Sequence, residues 1–113
     1  EKESAMKDTK YELIVVIANE GHSDGVMDAA RAQGAGGGTV IHAKGTGLEK
    51  AEKFLGVSIA DEKEMIFIVA KTGDKNKIMK SIMEKAGLES RARSVVFSMP
   101  VTDTAGLRLQ EIQ

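Results

Sequence analysis

Leu13-Ile14-Val15-Val16-Ile17-Ala18 is an apolar run without a break, and Met65-Ile66-Phe67-Ile68-Val69-Ala70 is its counterpart later in the chain. Short, β-branched apolar runs read as strands buried on both faces, because a strand with one wet face alternates instead. The first run ends at Asn19-Glu20-Gly21 and the second leads to Thr72-Gly73-Asp74, turn residues that open the way to a helix after each strand. The echo between the two halves extends further at an offset of 52 residues: Ala18 with Ala70, Gly21 with Gly73, Val26 with Ile78, Met27 with Met79. A weak internal duplication of a strand–helix unit is the simplest account.

Working outward from the first strand, Ser23 suits an N-cap, and Val26, Ala29, Ala30 and Gln33 set a helical stripe that Gly34-Ala35-Gly36-Gly37-Gly38 stops. The first helix is expected over about 23–33. Thr39 to Lys44 alternates as a strand, with Thr39, Ile41 and Ala43 on one face and Val40, His42 and Lys44 on the other. A long connection follows at 45–63, where Leu48, Ala51, Phe54 and Leu55 have the spacing of a short helical turn ended by Gly56. Connections of that length are uncommon in compact domains and point to a mobile functional loop; a fixed loop pinned by Phe54 and Leu55 is the alternative.

After the second apolar strand, Asp74 is expected to cap a helix in which Ile78, Met79, Ile82, Met83 and Ala86 share one face. Lys77, Lys80, Ser81, Glu84 and Lys85 face away, Gly87 ends the helix, and Ser94 to Met99 is a fourth strand that Pro100 terminates or confines to an edge. The order is β-α-β-β-α-β. Right-handed crossovers on two such units give an α+β, ferredoxin-like fold: a four-stranded antiparallel sheet with both helices on one face. The opposite face would then be bare, yet the two apolar strands carry hydrophobic side chains toward it. A sheet-to-sheet homo-oligomer is the expected cover.

Length and composition narrow the function. The chain has 113 residues, 42 % hydrophobic and 29 % charged, as in ordinary globular domains, with room for one domain. It divides into a charged extension at 1–10, a folded domain at 11–101 and a tail at 102–113. Sixteen Lys and Arg against seventeen Asp and Glu leave a net charge of −1, so no domain-wide field exists to hold nucleic acid. There is no cysteine, which removes disulfides, thiolate nucleophiles and Cys-type metal sites and accords with the cytoplasm.

Catalytic motifs fail one by one. The 34–38 glycine cluster follows a helix and precedes a strand, the reverse of dinucleotide-binding geometry, and Lys44-Gly45-Thr46 inverts the Gly-Lys of a phosphate-binding loop. Asp103-Thr104-Ala105-Gly106 carries one alanine too many for an aspartic protease, and His22 and His42 lack metal-ligand spacing. The third strand has one aromatic, Phe67, and no basic–glycine–aromatic motif for RNA bases. Anion recognition by backbone remains: Gly37-Gly38-Thr39, Gly45-Thr46-Gly47 and Arg91-Ala92-Arg93 offer amides, hydroxyls and guanidiniums suited to phosphate oxygens. Flexible turns and solvated charges would account for the same residues.

Residues 37–47, Gly-Gly-Thr-Val-Ile-His-Ala-Lys-Gly-Thr-Gly, resemble the second strand and loop entrance of PII signal-transduction proteins, whose pattern there is Gly-x-Thr-Val-x-x-x-Lys-Gly-x-Gly. The similarity extends over about residues 11–99. It implies a non-enzymatic, homotrimeric regulator of the nitrogen-regulatory type, with ATP, ADP or AMP in clefts between subunits. The 45–63 loop would then engage a protein or membrane-transporter target. By position it places Ile17, Gly37, Gly38 and Thr39 near the base, Gly47 near the phosphates and Ile68 against the base from the third strand. Arg93 stands where the family has a phosphate-binding lysine, with Arg91 beside it. The chain also departs from the family. Ser90-Arg91-Ala92-Arg93 replaces Gly-Asp-Gly-Lys, the paired arginines expected near Thr104 and Gly106 are missing, and Glu49 replaces a glutamine that helps to bind 2-oxoglutarate. The loop is shorter and has no tyrosine to modify. The topology is similar also to CutA-like trimeric metal-binding or structural proteins, the alternative reading, and to acylphosphatases, which rank behind both.

Overall fold

The computed structural model describes residues 10–45 and 61–107. The extension up to residue 9, residues 46–60 of the connection (with Gly47, Glu49 and the expected turn at Leu48–Gly56) and the tail from 108 onward lie outside them. The elements are β1 (Tyr11–Asn19), α1 (Ser23–Arg31), β2 (Thr39–Gly45), β3 (Asp61–Lys71), α2 (Thr72–Ala86) and β4 (Val95–Val101). The sheet order is β2-β3-β1-β4 with every neighbour antiparallel, the expected ferredoxin-like arrangement.

Register explains how β1 uses both of its faces. Ile14, Val16 and Ala18 lie opposite Ile68, Ile66 and Glu64 of β3, and all but the glutamate join one hydrophobic core. Val26 and Ala30 of α1 and Ile78, Ile82 and Ala86 of α2 close that core from above, most of them without any exposed surface. Small side chains let the two helices approach. The Ser81 hydroxyl donates to the Ala29 carbonyl at 2.9 Å, so Ser81 faces α1 and not solvent as its spacing suggested. Met79 packs against the core as expected, whereas Met83 is 41 % exposed.

The other face of the sheet is apolar as well. Ile17, Met65 and Ile41 stand in one cross-strand row, and Thr39, Phe67, Val15 and Phe97 in the next. Val15 is buried because aromatic rings stand opposite it on both sides, but Ile41, Val95, Phe97 and Met99 remain 40–53 % exposed. No element among the described residues covers this face. Pro100, which cannot donate to a ladder, falls inside β4, and β4 is an edge strand.

The helix ends depart from expectation in informative ways. Ser23 does not cap α1; His22 occupies that position, and its carbonyl accepts from the Val26 amide at 3.1 Å. The capping group comes from β3 instead. Oε1 of Glu64, a side chain only 7 % exposed, accepts from the amides of Gly21, His22 and Ser23 at 3.2, 3.3 and 3.1 Å. A buried carboxylate under a helix N-terminus satisfies orphan donors and meets the positive end of the helix dipole together. At the far end, the Gly34 amide donates to the Arg31 carbonyl and the Ala35 amide to the Ala30 carbonyl, a Schellman closure. It requires the left-handed φ of +107° that glycine adopts without penalty. Helical geometry thus runs on to about Gln33, although regular α-helix stops at Arg31.

Likewise Asp74 is not a cap. Lys71 holds that place without a side-chain bond, α2 begins at Thr72, and Asp74 in its first turn pairs with Lys77 at 3.3 Å. β3 also starts four residues before the apolar run, at Asp61, so residues 61–63 of the expected connection are strand.

Glu64→Ala leaves three amides at a partly buried helix start without their acceptor. We expect urea unfolding to show a loss of about 1–3 kcal/mol. A change below about 0.5 kcal/mol, the range of ordinary surface substitutions, would mean that water replaces the carboxylate freely.

Candidate functional site: two sheet edges and a pinned arginine loop

Gly37, Gly38 and Thr39 enter β2 at one edge of the sheet. An added Cβ at Gly38 would lie 2.9 Å from Met27 Sδ, 3.0 Å from the Phe67 carbonyl oxygen and 3.3 Å from Ile68 Cγ1, so only glycine fits there without a shift. Gly37 has nothing within 4 Å. Ile68 is fully enclosed in the core beneath Gly38. Ile17 projects from the opposite, open face, in register with Met65 and Val95.

Arg91 and Arg93 sit on the loop that leads into β4, at the other edge. Across the order β2-β3-β1-β4 the two edges are three strand spacings apart, about 14 Å. One chain therefore brings Gly37, Gly38 and Thr39 together over Ile68, holds the two arginines on the far side, and leaves Ile17 on the open face.

The arginine loop is firmly held. The Asn19 amide donates to the Ala92 carbonyl at 2.8 Å, its side-chain Nδ2 donates to the Arg91 carbonyl at 2.8 Å, and the Ser94 amide donates to the Ala86 carbonyl at 2.9 Å. Ala92 and Ser94 are buried on either side of an exposed Arg93. Pinned from both sides, Arg93 takes φ +48°, the left-handed region, which costs a non-glycine residue about 1–2 kcal/mol. Asn19 reaches across to β3 as well, accepting from Lys63 Nζ at 2.7 Å. It thereby ties the start of β3, where the 46–60 segment rejoins the sheet, to the arginine loop.

Both histidines lie near the turn after β1. His42, exposed on β2, has Nδ1 3.9 Å from Oε2 of Glu20 and of Glu64. Among the described residues no cluster of three or more His, Cys, Asp or Glu could hold a metal ion. No described helix is long and apolar enough to cross a membrane.

A family model for nitrogen regulatory protein P-II matches residues 11–111. The chain belongs to the PII family. Its fold is that of solved PII and PII-like structures. Arabidopsis thaliana PII bound to citrate superposes with a TM-score of 0.68 at 20 % identity, over 95 % of this chain and 87 % of the other. A PII-like signaling protein from Thermus thermophilus gives 0.62 at 14 % identity, over 82 % and 87 %. A DUF3240-family protein from Shewanella baltica gives 0.65 at 13 % identity, over 88 % and 99 %. A comparison with curated protein sequences gives no match. At these identities the structures speak for the fold, and the PII match gives the class: a regulatory family rather than an enzymatic one.

Three contributors to this region escaped sequence reading. Glu64 sits just before the apolar run, yet its phase with Ile66, Ile68 and Ala70 was the available signal that it points inward. Asn19 read as a turn residue, and none of its three long-range bonds has a sequence signature. Ser94, buried with its hydroxyl unpartnered, read as strand. Gly38→Ala should lower stability by about 1–3 kcal/mol, because the new methyl meets the Phe67 carbonyl, while Gly37→Ala changes it by less than about 0.5. Equal effects in paired urea titrations would sink that distinction.

Proposed function

We propose that this PII-family chain is a homotrimeric regulator that binds an adenine nucleotide, ATP, ADP or AMP, between subunits and signals to a protein partner through the segment joining β2 to β3. The observation that carries this reading is the separation of the candidate residues onto opposite sheet edges. Gly37, Gly38 and Thr39 on one copy and Arg93 on the next complete a site that neither copy holds alone. The open apolar face, with Ile17 and exposed Phe97 and Met99, is the surface that would seal the copies together. Gly38, open above and packed below, supports close approach of a planar base to the backbone. The Arg93 guanidinium supplies the charge for phosphate oxygens, and Gly47 belongs to the same reading although it lies outside the described residues. Capture of a small anion is in keeping with the citrate bound to the Arabidopsis relative. The CutA-like metal alternative has no supporting cluster among the described residues.

Calorimetry with ATP, ADP and AMP tests the proposal, with sedimentation equilibrium on the same samples. We expect a trimer and a dissociation constant below about 1 mM for at least one nucleotide. Arg93→Gly removes the guanidinium and relieves the left-handed strain together, so the unfolding midpoint should hold or rise while binding weakens by about 1.5–3 kcal/mol. A monomer at micromolar concentration, or no nucleotide bound below about 1 mM, would overturn it.

A further inference from the structure

The two arginines of the loop do not serve the same space. Arg91 lines a cleft of about 220 Å³ on the helix side of the loop, together with His22, Gly25 and Val26 at α1's start, Lys85 and Ala86 at α2's end, and Ser90 and Ala92 of the loop itself. Arg93 is not among its walls. Val26, Ala86 and Ala92 give it a buried apolar floor.

The rim is positive. The Lys85 side chain lies across Gly25, where an added Cβ would stand 3.7 Å from its Cε; any larger residue there would crowd that stem. The Arg91 backbone is fixed by its carbonyl's bond from Asn19, and the Ser90 hydroxyl is turned to the Gly87 carbonyl at 2.8 Å. Among the described residues no acidic side chain lines the cleft. Among the described residues neither Lys85 nor Arg91 has a carboxylate partner or a side-chain hydrogen bond, although the chain as a whole carries one more acidic than basic residue. The amides at the start of α1 are already occupied by Glu64, so recognition here would fall to side chains. Two unneutralised cations over a small apolar floor match a compact dianion with little body of its own.

We propose that this cleft is a second ligand site, separate from the one between subunits, in which Lys85 and Arg91 hold a small dianion, either a phosphoryl group or a short dicarboxylate. It does not rest on the nucleotide reading, since every wall comes from one chain. Amide NMR titration of the full chain with inorganic phosphate and, separately, with malonate provides the test. Saturating shifts confined to Gly25, Val26, Ala86, Ser90 and Ala92, with half-saturation near or below about 1 mM for one probe, are expected, and that probe identifies the head group. Lys85→Gln with Arg91→Gln should weaken binding at least about tenfold, while Arg93→Gly leaves it unchanged. Both charge variants are exposed positions, and unchanged shifts elsewhere verify their fold. Linear, unsaturated shifts with both probes, or equal binding in the double variant, would show that Lys85 and Arg91 are merely solvated charges. Loss in Arg93→Gly would merge this site with the intersubunit one. ATP calorimetry on the same variants keeps failure here distinct from failure of the nucleotide proposal.

Discussion

β1 is apolar on both faces, and only one face is covered by the helices that the chain supplies. Most other features follow from that imbalance. Ile14, Val16 and Ala18 are fully buried under α1 and α2, so the central strand cannot slip by one residue without exposing its core set. The same strand offers Leu13, Val15 and Ile17 to the other side, where Phe67 and Phe97 flank Val15 in register. Burying exposed Phe97, Met99, Val95 and Ile41 at about 25 cal/mol per Å² is a strong drive toward self-association, stronger than any single polar contact described above. A second copy laid on this face is also the arrangement under which the edges of two chains can adjoin, as the proposed nucleotide site needs.

Polar groups at the carboxyl end of β1 convert this scaffold into a positioned site. Glu64 uses one oxygen on three amides and so fixes where α1 starts. Asn19 uses its backbone amide and both side-chain atoms on three partners, two in the arginine loop and one on β3. Each group is short and sits at the end of a core strand, so the rigidity of the sheet is passed to loops that would otherwise drift. The left-handed φ of Arg93 is the local cost of that rigidity, and it is offset by the buried anchors Ala92 and Ser94 on either side.

The architecture was legible in sequence because it depends on hydrophobic period and on glycine. Two apolar runs, a helical stripe on each following segment and a proline at the fourth strand suffice to give the order, the antiparallel sheet and the shared helix side. What could not be read depends on side chains that act at a distance. The Ser23 and Asp74 expectations rested on local capping rules, and tertiary structure overrode the first by delivering Glu64 from 41 residues away. Ser81 and Met83 exchanged places because α1 lies to one side of α2's stripe, a packing offset that no single-helix pattern encodes. In the candidate site, proximity in sequence misled differently: Arg91 and Arg93 are two residues apart yet address different spaces, since the intervening Ala92 is buried and turns the chain.

That separation bears on how the molecule could couple its parts. Lys63 marks where the 46–60 segment returns to the sheet, and Asn19 bonds both to it and to the loop that carries the arginines. Asn19 is thus a shared anchor: it accepts from the Lys63 ammonium on one side and donates to the Arg91 and Ala92 carbonyls on the other. Occupancy at either face of the arginine loop would in turn bias the start of β3. Such coupling needs no long relay, because one asparagine at the end of the most buried strand touches both elements. By linkage any such coupling is reciprocal, so a bias applied at the start of β3 and one applied at the arginine loop affect each other equally.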